Sequence, residues 1–294
     1  MAAKRSTLVS VAVNLLLTCS QVIAGLVSGS QGLIADGIHS LSDLLADFVV
    51  LLANHFSAKA PDESHHYGHM RYETAASLVL GTLLLVVGAG MLWSSIDKLQ
   101  HPESIAKVHV LALWVALGAL VVKEGLFRYM LAVGKRVGST MLIANAWHAR
   151  SDAASSLVVG VGIVGNLMGL PLLDPVAALV VGLMVGRMGW SFAWQALDDL
   201  MDRSATEEQH ELISTALNAT PGVVGFHDLR TRKMGDRILL DVHLEVCATL
   251  TVLEGHDITV EARRRIREVV PVLNVMTHID PVVSGITKPK ASRS

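Results

Sequence analysis

Two pairs of histidine and aspartate share the spacing His-x-x-x-Asp in two long apolar stretches of the sequence. His39 and Asp43 form the first pair, and His148 and Asp152 form the second. Residues four apart lie on the same face of a helix, so each pair offers one imidazole and one carboxylate side by side. Together the two pairs supply two nitrogen and two oxygen donors, a set that suits a tetrahedral Zn²⁺ ion.

These donors narrow the choice of metal without fixing it. They include no thiolate or thioether, which argues against Cu(I), whereas Fe²⁺, Co²⁺, Mn²⁺ and Cd²⁺ also accept such ligands. Each histidine could instead hydrogen-bond a neighbouring helix without binding metal. Three more polar residues, Asp36, Asp47 and Asn145, extend the two pairs into polar stripes along the same helix faces. They are candidates for a relay or for tuning selectivity. Asp36 and Asp47 could also bind metal directly or make structural hydrogen bonds.

The stretches that carry these residues belong to an unusually apolar chain. Of its 294 residues, 51% are hydrophobic and 17% are charged, whereas charged residues make up about 25% of a typical soluble domain. A net charge of -2 gives no basic surface for nucleic acid. The two cysteines, Cys19 and Cys247, form no CxxC unit. The composition indicates a membrane protein.

Six stretches are long and apolar enough to cross a bilayer, which takes about 20 residues. They cover approximately residues 8–28, 33–53, 74–96, 108–132, 141–168 and 175–197. The first is too long for the core of a signal peptide, so we expect it to be retained as a span. An ionisable group inside a span costs about 2.5 to 3.5 kcal/mol, so the histidines and aspartates should face the bundle interior and mark a pathway.

The distribution of positive charge predicts the orientation of these spans. Alternate connections carry Lys4 and Arg5, Lys59 and Arg71, Lys135 and Arg136, and Arg203. The turns at residues 28–32 and 169–174 carry no positive charge, although the connection between Lys98 and Lys107 has two. Because positive loops stay on the cytoplasmic side, both termini should be cytoplasmic in the inner membrane.

The chain changes character after residue 202, which divides it into a membrane domain (1–202) and a soluble domain (203–283). Helices are predicted at 207–217 and 252–269, and strands at 223–229, 238–246 and 272–279, with a turn at 234–236. The order α-β-β-α-β predicts a small open sheet with two helices on one face. Residues 284–294 are expected to form a disordered tail.

Five segments of the sequence resemble the bacterial cation diffusion facilitator family. They are ADGIHSLSD (35–43), PDESHHYGHMRYE (61–73), NAWHARSD (145–152), HDLR (227–230) and HIDP (278–281). The resemblance covers nearly the whole chain. It implies a homodimer with six transmembrane helices per subunit, a ferredoxin-like α+β cytoplasmic domain, and alternating access coupled to proton antiport. Such a protein is a transporter of divalent metal cations and not an enzyme.

The resemblance also assigns three metal sites and one interlock. The transport site consists of His39, Asp43, His148 and Asp152. A loop site consists of Asp62, His65 and His69, whose spacing suits a metal without reference to the family, although a solvated polar loop is the alternative. A binuclear cytoplasmic site with a bridging carboxylate consists of His227, His243, His256, His278 and Asp280. The interlock pairs Arg71 with Asp202, which could equally be ordinary surface charges.

Position 39 departs from the best-studied branch of the family, which has aspartate there. A histidine makes the site less hard and favours zinc over cadmium and iron. Because a metal requires neutral imidazole and ionised carboxylate, Zn²⁺ and protons compete for the same groups, which would couple zinc export to proton entry. A membrane metal sensor without transport is the alternative from another class. A metalloenzyme is disfavoured because the sequence has no HExxH unit.

Overall fold

The computed structural model describes residues 2–105, 107–137 and 140–283, and the chain divides into two compact units. The first unit contains the chain up to Asn54 together with Ala76–Trp194. The second contains His55–Ala75 and the chain from Gln195 onwards. The expected tail at 284–294 lies outside the described residues.

Six long helices account for the six apolar stretches. They are α1 (Ala2–Ser28), α2 (Gln31–Ser57), α3 (Arg71–Gln100), α4 (Leu111–Val137), α5 (Thr140–Leu167) and α6 (Leu173–Leu200). Gly29 has a φ of 72° and Gly169 a φ of 95°. These glycines allow the tight turns after α1 and α5, because other residues rarely adopt positive φ.

Within the described residues, three helical segments are long and apolar enough to span a membrane by length and composition alone: Val9–Ser28, Arg71–Gln100 and Leu173–Leu200. The other three long helices are α2, α4 and α5. Each of them carries ionisable residues within its apolar stretch, among them Asp36, Lys123 and Asp152. In α2 and α5 these charges include Asp36 and Asp152, which the sequence analysis expects in the bundle interior.

Small and branched apolar residues form the core of the first unit. Ala24, Leu33, Ala112, Val159 and Val181 come from five different helices and belong to one buried cluster. Glycines bring α3 and α6 close together: a Cβ added at Gly88 would lie 2.8 Å from the backbone nitrogen of Gly186. Close approach through small residues is the usual way in which helices pack within membranes.

The start of α2 is held by a carboxylate from the start of α6. Asp174 accepts hydrogen bonds from the Ser30 hydroxyl at 2.6 Å and from the backbone amides of Gln31 and Gly32 at 2.7 and 3.3 Å. These amides belong to the first turn of α2, where helical N–H groups lack partners within the helix. The bonds fix the end of the helix from which Asp36 and His39 follow.

The second unit contains the predicted α-β-β-α-β order, which is confirmed. Its elements are α7 (Glu207–Asn218), β1 (Gly225–Met234), β2 (Arg237–Cys247), α8 (Val252–Val269) and β3 (Val272–Val282). The sheet has the strand order β1-β2-β3. Strand β1 is antiparallel to β2, and β2 is parallel to β3. Thr206 and Thr251 cap the two helices through capping boxes. Ile213, Leu240 and Ile266 belong to the core between helices and sheet.

The first strand differs from its prediction at 223–229, because it begins at Gly225 and extends to Met234. Its second half is polar, and Arg230 and Arg232 pair with Asp241 and Leu239 of β2. A strand with one face open to solvent can carry such residues, so hydrophobicity alone underestimates its length. The tight turn before Arg237 brings β2 back alongside it, as predicted.

Candidate metal centres

Three of the four residues of the predicted transport site converge inside the helical unit. His39 Nε2 lies 3.9 Å from Asp43 Oδ2 and 3.9 Å from Asp152 Oδ1. One ligand atom from each of the three residues lies within 4.8 Å of the others. Their side chains are 7%, 13% and 14% exposed, respectively. Helices α2 and α5 thus bring one nitrogen and two oxygen donors to a point that one cation could share.

The two ring nitrogens of His39 have different surroundings. Its Nε2 faces the two carboxylates, whereas its buried Nδ1 has no hydrogen-bond partner among the described residues. Buried polar atoms are normally paired, so an unpaired one needs an explanation. The arrangement leaves Nε2 free to share a metal ion or a proton with Asp43 and Asp152.

The other polar residues of the two stripes lie at the edge of this cluster or outside it. His148 Nε2 is 4.0 Å from Asp152 Oδ2, but its side chain is 55% exposed and it does not join the three converging donors. Asp47 and Asn145 are exposed. Direct ligation by His148 therefore requires its side chain to move toward His39.

Asp36 lies on the same stripe of α2 as His39 but belongs to a different set of contacts. Its fully buried carboxylate accepts hydrogen bonds from Ser155 at 3.1 Å, from Ser156 at 2.6 Å and from Lys123 at 3.3 Å. These contacts support a structural role in preference to direct ligation. Sequence reasoning missed Lys123, although an ionisable residue within an apolar span is the same signal that identified Asp36.

The predicted loop residues form a second group within the other unit. His65 Nδ1 lies 3.3 Å from Asp62 Oδ1, and His69 Nε2 lies 3.3 Å from Asp62 Oδ2. The two imidazole rings are 4.3 Å apart between centroids. His69 is buried, and its Nδ1 has no hydrogen-bond partner within the described part of the chain. All three residues can offer one atom to a common ion.

Asp62 is held in its ionised form by the turn that it begins. The hydroxyl of Ser64, together with the backbone amides of His65 and Ser64, lowers the pKa of Asp62 to about 2. The amide of His65 donates to Asp62 Oδ1 at 2.7 Å. A carboxylate that stays ionised is available as a metal ligand over the whole physiological pH range.

A third group lies on the sheet of the second unit. Asp280 uses both of its oxygens: Oδ2 lies 3.0 Å from His243 Nδ1 and 3.2 Å from His227 Nε2, and Oδ1 lies 3.4 Å from His278 Nε2. The hydrogen bond from His243 is the main cause of the lowered pKa of Asp280. One ligand atom each from His227, His243 and Asp280 lies within 4.8 Å of the others, so these three residues could share one ion.

Strand register explains why these histidines meet. His243 on the central strand pairs with His227 on β1 and with His278 on β3. A β-bulge follows His227, and Asp228 has a φ of 49° at this point. Bulges change the direction of side chains next to them. The three histidines therefore lie in a row across the sheet because of pairing, which the sequence alone does not give.

Two observations modify the predicted cytoplasmic set. Glu245 Oε1 lies 3.5 Å from His227 Nδ1 and was missed by sequence reasoning. Its position two residues after His243, on the same face of β2, is the signal that could have identified it. His256 is exposed on α8 and does not belong to a converging group among the described residues.

The predicted interlock residues are in contact. Arg71 Nη2 donates to Asp202 Oδ1 at 2.6 Å, and Arg232 Nη1 lies 3.7 Å from Asp202 Oδ2. Asp202 adopts a φ of 62°, which is uncommon for a residue other than glycine. The side chains are 41% and 47% exposed in the Arg71–Asp202 pair, so solvent reduces its contribution to stability.

Comparison with known proteins divides the chain at a single point between residues 201 and 205, whereas in the structure His55–Ala75 also belong to the second unit. Residues 7–201 match the family model of the cation efflux transmembrane domain, and residues 205–282 match the model of the cytoplasmic domain of cation efflux proteins. The chain is 34% identical to an uncharacterized transporter of Methanocaldococcus jannaschii, over 95% of this chain and 98% of that protein.

Two other relatives have names that refer to metals. The manganese efflux system protein MneS of Bacillus subtilis is 34% identical over 94% of both chains. Metal tolerance protein C1 of Arabidopsis thaliana is 36% identical over 90% of this chain, which spans 59% of the plant protein. Since the transmembrane model matches well over half of the chain, the protein belongs to the cation diffusion facilitator family of divalent metal efflux transporters, and it is a multi-pass membrane protein.

Proposed function

We propose that this transporter exports Zn²⁺ from the cytoplasm in exchange for protons, as a homodimer in the cytoplasmic membrane. The observation that carries the proposal is the convergence of His39 Nε2 with the carboxylates of Asp43 and Asp152. Two carboxylates balance the charge of a divalent cation in a region from which water is largely excluded. The imidazole adds a borderline donor that zinc binds well.

Manganese is the second candidate, because the relative MneS is named a manganese efflux protein. Mn²⁺ prefers carboxylate, carbonyl and water ligands, and it binds nitrogen donors more weakly than Zn²⁺ does. The histidine at position 39 therefore favours zinc. Fe²⁺, Co²⁺ and Cd²⁺ remain part of any test of selectivity.

Proton exchange follows from the chemistry of the same donors. A metal ion binds neutral imidazole and ionised carboxylate, so protons compete with it for each group. Imidazole in model peptides titrates near pH 6.5, about the range that separates a neutral cytoplasm from a more acidic exterior. Each proton that enters down a potential of 100 mV supplies about 2.3 kcal/mol. Metal would bind from the cytoplasm and be released by protonation on the other side.

The other two clusters would hold metal without transporting it. The loop residues Asp62, His65 and His69 and the sheet residues around Asp280 could stabilise the folded protein or report the cytoplasmic metal concentration. A small soluble domain buries a limited core, which favours both metal binding and dimerisation. Membership of an efflux family disfavours a sensor that does not transport.

Asp152→Ala tests the transport site directly. Purified protein in sealed liposomes should lose zinc flux, because the substitution removes one of two carboxylates from the cluster while the dimer remains intact in size-exclusion chromatography. Asp97→Ala is the matched control, since Asp97 lies at the end of α3 and pairs with His101. Near-normal flux in Asp152→Ala would refute the assignment of the transport site.

A further inference from the structure

A lysine from α4 lies between α2 and α5, the two helices that supply His39, Asp43 and Asp152. These three residues are called the transport cluster below. Lys123 Nζ lies 3.3 and 3.5 Å from the two carboxylate oxygens of Asp36 on α2. It also donates to the hydroxyl of Ser156 at 2.7 Å and to the backbone carbonyl of Asp152 at 3.4 Å, both on α5. Lys123 is 3% exposed. One ammonium group thus connects α2 and α5, although α4 itself contributes no residue to the metal cluster.

The contacts of Lys123 lie next to the proposed ligands. Asp36 precedes His39 by three residues, which is about one helical turn. The carbonyl group that Lys123 contacts belongs to Asp152 itself. Any shift of α2 relative to α5 at this level would change the distance between His39 Nε2 and Asp152 Oδ1, which is now 3.9 Å.

The environment of Asp36 indicates a fixed link and not a mobile ligand. Besides Lys123, its carboxylate accepts hydrogen bonds from Gln21 on α1 and from Ser155 and Ser156 on α5. Four residues on three neighbouring helices therefore surround one buried charge. Removing one partner of such a pair leaves an uncompensated charge, whereas apolar residues in both places are often tolerated. The buried pair of Lys123 and Asp36 is therefore better explained by the positions that it gives to the helices than by a gain in folding stability.

Charge compensation leads to the same conclusion. Of the three buried or largely buried carboxylates on the facing stripes, Asp36 is balanced by Lys123. Asp43 and Asp152 face the imidazole of His39 and, once both are ionised, supply the two negative charges that a divalent cation requires. Residues that orient the ligands of a metal, without touching it, commonly change its affinity about 10- to 100-fold when they are replaced.

We propose that Lys123 is a positioning residue of the transport site, which acts through Asp36 and the backbone of Asp152 to hold α2 and α5 at the spacing that zinc binding requires. The inference rests on the proposed function of the cluster. It concerns a residue outside the predicted ligand set and gives Asp36 the role of its partner.

The experiment compares Lys123→Met, Asp36→Asn and the double variant with the wild-type protein. Zinc flux in liposomes gives KM and the maximal rate per folded dimer, with Mn²⁺ flux measured in parallel. Zinc affinity is measured by calorimetry in a background with Asp62→Ala and Asp280→Ala, which weakens the other two clusters by removing one carboxylate from each. Arg128→Met is the control, because Arg128 lies on the same helix and pairs with Glu124 of that helix.

We expect each single variant to raise KM and the zinc dissociation constant at least tenfold, and the control to leave both unchanged. The double variant should resemble the singles, because both substitutions break one link and coupled residues are not additive. Effects that multiply in the double variant, or a double variant with wild-type KM, would overturn the proposal. So would singles that lose folded protein while the remaining dimers keep the wild-type KM.

If neither single variant folds, the double variant decides, since it leaves no unpaired charge. A tenfold rise in its zinc dissociation constant supports the proposal, and a wild-type value overturns it. Failure of the proposed function has a different signature: wild-type protein would then carry no Zn²⁺, whether or not it carries Mn²⁺, while the calorimetric comparison of zinc binding still decides whether Lys123 positions the cluster.

Discussion

His39 is the nitrogen donor that faces both carboxylates of the transport cluster. Its Nε2 is equally distant from Asp43 and Asp152, at 3.9 Å from each. An imidazole at this point makes the cluster softer than three carboxylates would be, and it lowers the negative charge by one. Selectivity and proton competition in this transporter should therefore depend on this residue more than on the exposed His148.

The substitution His39→Asp tests that dependence. Adding a hard oxygen and one negative charge should raise flux of Mn²⁺ relative to Zn²⁺ in liposomes, because manganese prefers carboxylate ligands. His210→Asp, on α7, serves as the control for an added charge. Wild-type metal ratios in His39→Asp would mean that His39 does not contact the transported ion.

Asp280 has the corresponding central position in the cytoplasmic cluster. The hydrogen bond from His243 lowers the pKa of Asp280, so its stabilising contribution is complete above the ordinary aspartate pKa of about 3.9. That contribution disappears only as the pH falls through the still lower pKa of the folded protein. Between pH 5.5 and 7.5, any change in metal binding must come from competition at the imidazoles and not from this carboxylate.

We therefore expect Asp280→Asn to lower zinc occupancy of the cluster at every pH in this interval because one ligand is lost, whereas occupancy of both proteins should rise with pH as the imidazoles lose their protons. Equilibrium dialysis of the full-length protein, in an Asp62→Ala and Asp152→Ala background, measures this occupancy. Wild-type zinc occupancy in Asp280→Asn throughout this interval would mean that Asp280 is not a ligand of the cluster.

At the scale of elements, the strand β1 shows how backbone geometry prepares a site. Asp228 follows His227 at the bulge and has a φ of 49°. Aspartate and asparagine tolerate this left-handed conformation better than β-branched residues do. The bulge thus depends on the residue type at 228, and His227 depends on the bulge for its position opposite His243.

Asp228→Val should destabilise the folded protein by about 1 to 2 kcal/mol, the cost of left-handed backbone for such a residue, and should lower zinc occupancy of the cytoplasmic cluster. Asp228→Gly should retain both properties, because glycine adopts positive φ without strain. Denaturant melts of the metal-free protein and zinc analysis provide the measurements. Equal stability of the two variants would show that the bulge does not constrain His227.

The helices and the order of elements along the chain could be predicted because their signals are local. Apolar stretches of about 20 residues gave all six long helices, and alternation gave β2. Lys123 was missed because its importance lies in contact with Asp36, which is 87 residues away in sequence. The row formed by His227, His243 and His278 depends on strand register. The exposed positions of His148 and His256 depend on packing, which spacing does not determine.

For the whole molecule, the three candidate metal clusters are divided between the two units: the first unit contains one of them and the second contains the other two. The helical unit holds two carboxylates and an imidazole in its interior, next to a charge pair that fixes two of its helices. The second unit carries two clusters that are more exposed and rich in histidine. Only the first has the burial expected of a site on a path through the membrane. We therefore expect exchange of zinc for protons to require the interior cluster and to persist without the other two.

The most direct measurement uses liposomes that contain the full-length protein and enclose one dye that reports zinc and one that reports pH. The interior is at pH 6.5, and zinc is added outside at pH 7.5. The wild-type protein and the Asp62→Ala, Asp280→Ala double variant should take up zinc while the interior becomes more alkaline, and Asp152→Ala should do neither. Two results would contradict zinc and proton exchange at the interior cluster. One is zinc uptake during which the internal pH changes no faster than in protein-free liposomes, and the other is an absence of zinc uptake by the wild-type protein.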